Sequence, residues 1–398
     1  MKSSFDKDSL SSKDIGDYIK KNGGLQDTAE PSIYIPVIEE NGYEYYDIES
    51  DDTHKVKASQ PSGINKNNHK YLPHSVFVYI NNNSTNALAT EIKNTPIIGV
   101  YIGSIADIEH NSNLIIGASF EQENFPLSKF KPKKIYINQA GELIITSENS
   151  LLGYKDERIL SYMISEAALR FLVLHEIGHH VKGHISALRQ HENFVLLKAA
   201  DKVNSDFEIE ADTYAATKLA EEFDLILSGL IKHKADFDES GSEELEFLAL
   251  NTVVTALTLP FSILYQPESG VIENTFKSTI AYREINAIII LSVELYKNEI
   301  CRKAVIFGLS NQNFDDTQRL PQEIDIERIK ISQNIDFKDF FVYIRELFIE
   351  NKRLYYQVNQ IPNIDIYLKH YFDVLEYFKN ESHKDDISTN LDVIKDGL

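Results

Sequence analysis

The spacing of apolar residues changes character at Gly153. Before it, short β-rich runs lie at Ser75 to Ile80, Ile97 to Gly103, Leu114 to Phe120, Ile135 to Asn138 and Leu143 to Thr146, the last two joined by a turn over Gln139 to Glu142. Such runs predict a small, largely antiparallel sheet. Upstream, IYIPVIEENGYEYYDI spans Ile33 to Ile48, and its Asn41-Gly42 pair predicts a β-hairpin. After Gly153 apolar residues recur at helical spacing, with breaks near 204, 236 to 242, 267 to 274 and 310 to 322. The expected fold class is α+β: a small sheet in the N-terminal half, then a mostly helical core and C-terminal helices. Residues 1–70 would form a flexible arm with the hairpin and a polar linker, 71–310 the main domain, and 311–398 a C-terminal helical region.

Two helical stripes end the chain. Phe337, Phe340, Phe341, Ile344, Leu347 and Phe348 form one; Ile364, Tyr367, Leu368, Tyr371, Leu375 and Phe378 form the other. Packing among helices accounts for both. The uncharged stretch from Phe247 to Tyr265 approaches membrane-spanning length but carries Asn251, Thr252, Thr255, Thr258, Pro260 and Ser262. A buried helix is expected there, and no membrane span.

Charge and cysteine content narrow the chemistry. Lys and Arg number 40 against 61 Asp and Glu, a formal net charge of −21, which argues against a nucleic-acid partner. The lone Cys301 rules out an intramolecular disulfide and a thiolate metal cage, so a metal would have to be held by imidazole and carboxylate. The opening MKSSFDKDSLSSKD has neither an apolar core nor an Arg-rich amphipathic pattern, and a cytoplasmic location is expected. Nothing in the sequence marks an oligomeric state.

Five histidines cluster at 175, 179, 180, 184 and 191, and His175-Glu176-Ile177-Gly178-His179 is an HExxH motif. Residues i and i+4 share one helix face, so His175 and His179 can hold one Zn²⁺ while Glu176 addresses its water as general base. Ile159, Leu160, Met163, Ile164, Ala167, Ala168, Phe171, Leu172 and Leu174 bury the approach at helical spacing. A catalytic zinc keeps three protein ligands. The third is not the histidine of HExxHxxGxxH, because Lys182 and Ile185 stand where that motif needs Gly and His.

Downstream, Glu208 and Asp212 are spaced i and i+4 at the expected start of another helix. Glu208 would be the third ligand and Asp212 would accept the far ring N–H of a ligand histidine. Glu210 is the alternative ligand. The competing explanation is that the acidic run from Asp206 to Asp212 merely complements a helix N-terminus. His180 and His184 are also i and i+4, but Val181 follows His180, and His180 lies about 140° around the helix from His175. They are expected in outer or solvated positions rather than at a second metal. Asp236 to Phe247 imitates half of a calcium loop but lacks its terminal Glu, so a loop and a capping box at Ser240 and Glu243 are expected.

The segments from Leu174 to His184 and from Glu208 to Lys218 resemble gluzincin-type zinc metallopeptidases, in particular the soluble phage-exclusion peptidases of bacteria and the heat-shock and prenyl-protein peptidases. The resemblance covers about residues 155 to 225. It implies one zinc per chain on His175, His179 and Glu208, Glu176 as general base, Asp212 behind a ligand, and hydrolysis of an intracellular protein or peptide substrate in phage defence or stress regulation. The membrane relatives carry a His-Pro and then an Arg; this chain has FKSTIAYR, leaving Tyr282 and Arg283 as candidates for the oxyanion donor. The segment Leu143 to Thr146 is the candidate edge strand for an extended substrate. A zinc-stabilised binding or sensor protein is the alternative from another class.

Overall fold

In the computed structural model, the described residues are 33–34, 55–58, 71–72, 75–80, 85–120, 134–137, 143–146, 155–191, 197–233, 241–264, 280–311, 324, 326–362 and 364–381. The chain divides into two compact units. One comprises Met1–Asp107, Lys131–Asn149 and Glu176–Val195; the other comprises Ile108–Phe130, Ser150–His175 and Leu196–Leu398.

The first unit holds the sheets. Strands β1 (Ile33–Tyr34), β3 (Val76–Ile80), β4 (Ala87–Ile92) and β5 (Thr95–Tyr101) form a four-stranded sheet in the order β1-β3-β5-β4. Strands β2 (Lys55–Ala58), β6 (Lys134–Ile137) and β7 (Leu143–Thr146) form a second in the order β2-β7-β6. Only β3 and β5 pair in parallel; the other described pairs are antiparallel. The α+β order expected from the sequence is therefore what the chain adopts. The expected hairpin from Ile33 to Ile48 lies outside the described residues beyond Tyr34, as do the Gln139 to Glu142 turn and the first five residues of the calcium-like loop, Ser240 of the expected capping box among them; from Ser242 on, that segment, Glu243 and Phe247 included, is helical.

Three readings of the N-terminal half are corrected. Leu114 to Phe120 is the end of helix α1 (Ile102–Phe120), not a strand. Ile105, Ile108, Ser112 and Ile115 are buried at helical spacing, and the Ser112 hydroxyl donates to the Ile108 carbonyl, so the apolar run is one face of a helix that starts well before it. Strand β4, unmarked by any β-rich run, pairs with β5 through Lys93 and Asn94, both at positive φ (49° and 62°), as a two-residue hairpin turn requires. Finally, β7 pairs on both sides, with β2 and β6, so Leu143 to Thr146 is no edge strand.

Helix α2 (Lys155–Val181) runs into the first unit, where α3 (His184–His191) packs against β4. The second unit is helical: α4 (Leu197–Glu221), α5 (Phe223–Lys232), α6 (Ser242–Leu264), α7 (Ile280–Tyr296), α8 (Glu299–Asn311), α9 (Ile326–Ser332), α10 (Phe337–Val358) and α11 (Ile364–Glu381). Both C-terminal stripes turn inward, with Phe340, Phe341, Ile344 and Phe348 buried on α10 and Leu368, Tyr371 and Leu375 on α11. Among the described residues one helix, Ser242–Ile263, is long and apolar enough to cross a membrane, and 78% of its apolar window is buried within the protein. Its Thr252, Thr258 and Ser262 hydroxyls donate to carbonyls one turn back, which lets polar side chains lie inside the core. Cys301 is fully buried, and burial pushes its thiol above its usual value.

Gly308 of α8 sits where α6 and α10 approach. A Cβ there would lie 2.5 Å from Phe247 Cε2 and against the Tyr343 hydroxyl. Gly308→Ala is therefore expected to lower the urea midpoint, although Ala is the better helix former by about 1 kcal/mol, because overpacking costs about 1–3 kcal/mol. An unchanged or raised midpoint would contradict this packing.

Candidate metal centre

Helix α2 is buried along the approach to the motif: Ile164, Ala167, Ala168, Phe171, Leu172 and Leu174 are at most 3% exposed. His175, Glu176 and His179 continue that buried run at 7%, 8% and 9% exposure. Polar groups placed so deep need partners. Helix α4 supplies those of His175; it packs along α7, and its Ala211, Ala215 and Ala216 are fully buried.

His175 is gripped at both ring nitrogens. Its Nδ1 lies 2.8 Å from Asp212 Oδ1, and its Nε2 lies 3.3 Å from Glu208 Oε2. Arg283 of α7 holds the two carboxylates together. Its Nε–H donates to Asp212 Oδ2 at 2.6 Å, and its second Nη donates to Asp212 Oδ1 and reaches Glu208 Oε2, each at 3.0 Å. Burial opposes ionisation of Asp212, but Arg283 and then His175 outweigh it, and the carboxyl titrates below its ordinary value of 3.8. A carboxylate fixed in this way orients the His175 ring and raises its basicity.

His179 follows one turn later on the same helix. Ligand atoms of His175, His179 and Glu208 lie within 4.8 Å of one another and could hold a metal ion; among the described residues no second such group occurs. Glu208 is half-buried whereas Glu210 is exposed and outside the group, which separates the two candidates for the third carboxylate. Helix α4 already begins at Leu197, so Asp206 to Asp212 sit in its interior and do not serve a helix N-terminus. Arg283, a candidate oxyanion donor by sequence, is instead committed to Asp212 and Glu208. Tyr282 is half-buried on α7.

Two placements were not legible beforehand. Tyr101, the last residue of β5, is 3% exposed; burial and then the Glu176 carboxylate hold its phenol above its ordinary value, so it stays protonated and able to donate. No local motif marks it. His184 is buried, with its Nδ1 3.0 Å from His179 Nδ1, while half-buried His180 places Nε2 3.3 Å from the Ile97 carbonyl of β5.

The Asp212 shift fixes a pH dependence. Because its folded value is depressed, its contribution to stability is present above the unfolded carboxyl value near 3.8 and is lost as pH falls through the folded value. Asp212→Asn is expected to flatten that acid limb in urea titrations between pH 5 and 2 and to weaken metal binding about 10- to 100-fold. An unchanged acid limb would contradict the depressed value. No protein-family model matches the chain, and neither a curated protein nor a solved structure matches it.

Proposed function

We propose that the chain is a zinc-dependent metalloendopeptidase that hydrolyses peptide bonds in an intracellular protein substrate. The observation that carries this reading is the paired grip on His175. With Asp212 on Nδ1, Nε2 faces Glu208 Oε2 at 3.3 Å. Two donors on a tetrahedral zinc with bonds of about 2.0–2.2 Å stand about 3.4 Å apart. The donor set of two imidazoles and one carboxylate suits a catalytic zinc, which keeps one position open. Bound zinc supplies Lewis acidity, lowering the pKa of a water toward about 7 and drawing charge from a carbonyl oxygen.

The remaining work belongs to the chain. Glu176 stands next to His175 on the helix and outside the ligand group, and its carboxylate would take a proton from the attacking water and return it to the leaving amine. Asp212 and Arg283 hold His175 and Glu208 in place. The resemblance in these two helices to phage-exclusion and heat-shock peptidases supports a restricted substrate, as a protease working among cytoplasmic proteins requires.

The test is a search for new N-termini. Protein loaded with zinc is incubated with a cytosolic extract, and the termini created are identified by mass spectrometry. Termini that appear with the wild type and vanish with chelator and with Glu176→Gln are expected. Identical termini from wild type and Glu176→Gln would overturn the enzymatic reading in favour of a metal-stabilised binding protein.

A further inference from the structure

Resting on the zinc reading above, we propose that His184 is a positioning residue for His179, accepting its Nδ1–H and so reserving its Nε2 lone pair for the metal. The two Nδ1 atoms are 3.0 Å apart, the rings meet edge to face with centroids 5.1 Å apart at 71°, and His184 is 1% exposed. Two ring N–H groups cannot face each other at that distance, so one nitrogen donates and the other accepts. A histidine committed to a metal through Nε2 carries its proton on Nδ1. His179 is then the donor, and His184 takes the tautomer protonated on Nε2.

A break in the helix makes this contact possible. Five residues along a continuous helix, His184 would point about 140° away from His179. Helix α2 instead ends at Val181; the Lys182 N–H donates to the Gly178 carbonyl at 2.9 Å and the Gly183 N–H to the His180 carbonyl at 3.0 Å. Gly183 turns the chain at φ +78°, a conformation that side-chain-bearing residues rarely adopt, and its carbonyl accepts the Ala187 N–H that begins α3. The reversal brings His184 back onto His179. Each ligand histidine thus has its own backing: a carboxylate clamped by Arg283 for His175, and a neutral imidazole for His179.

The test measures zinc affinity of the full chain by competition with a chromogenic chelator. His184→Phe keeps the ring contact but removes the acceptor, and is expected to weaken binding about 10- to 100-fold. His184→Asn, whose amide oxygen can occupy the Nδ1 position, is expected to restore affinity to near the wild-type value. Nitrogen-15 spectra of the zinc-loaded wild type should show His179 protonated on Nδ1 and His184 on Nε2. If His184→Phe does not fold, His184→Asn against His184→Gln makes the same comparison, since Gln reaches toward the Nε2 position and should bind weakly. Wild-type affinity in His184→Phe, or in His184→Gln, or a His184 proton on Nδ1, would overturn this assignment and leave the zinc reading standing. A wild type that takes up no zinc would remove both.

Discussion

Glu176→Gln is expected to slow peptide hydrolysis by about 10²- to 10⁴-fold, the range over which a positioned acid–base group acts. The substitution conserves shape and hydrogen-bonding reach but cannot accept a proton at the working pH. Glu176 is 8% exposed and lies beside His175 without belonging to the ligand group, so the metal should be retained. Zinc content equal to the wild type, an unchanged thermal midpoint and a lost rate of appearance of new N-termini are the joint expectation. A rate within a few-fold of wild type would remove Glu176 from the chemistry. Loss of zinc together with activity would instead place Glu176 among the groups that build the site.

Lys352→Met is expected to cost about 3–5 kcal/mol of stability, because it strips a fully buried carboxylate of its counter-charge. Glu284 of α7 is 0% exposed and pairs with the Lys352 ammonium of α10. The Tyr367 hydroxyl of α11 donates to the other Glu284 oxygen, and Lys352 Nζ stands 4.8 Å from the Tyr367 ring centroid. Burial pulls the ammonium below its ordinary value even against the opposing pull of Glu284. For a unit of this size the loss corresponds to a fall in Tm of roughly 6–20 °C. The double variant Lys352→Met with Glu284→Leu should recover most of it, since a buried pair can be exchanged for apolar groups at little net cost. A single variant as stable as the wild type would show that Glu284 finds another partner or is uncharged. The pair bears on the site because the preceding residue of α7 is Arg283, which holds Asp212 and Glu208; α7 is thereby tied to α4 on one side and to α10 and α11 on the other.

What was legible in the sequence follows the range of the interaction. The HExxH turn and its apolar approach are local, repeat at helical spacing, and stand in α2 as the spacing implied. Glu208 and Asp212 follow the same i, i+4 rule, yet Asn204, Ser205 and Asp206 look like a helix cap while α4 runs straight through them, so the sequence points to a later helix start than Leu197. Arg283 lies 71 residues from Asp212, and no local pattern announces an ion pair over that distance. The Lys93-Asn94 turn leaves no local signal because the positive φ that Asn-Gly would advertise is here adopted by two residues with side chains. An outer or solvated position is all that the spacing predicts for His184; its contact with His179 depends on the turn at Gly183, where φ is +78°.

The central claim is that His175, His179 and Glu208 together hold one zinc. Elemental analysis of protein purified without added metal tests it directly, with His175→Ala and Glu208→Ala measured alongside. The expected result is about one zinc per wild-type chain, retained through gel filtration, and a large loss in both variants with their folds intact. A wild type that carries no zinc and takes none up on titration, or a Glu208→Ala variant at full occupancy, would contradict it.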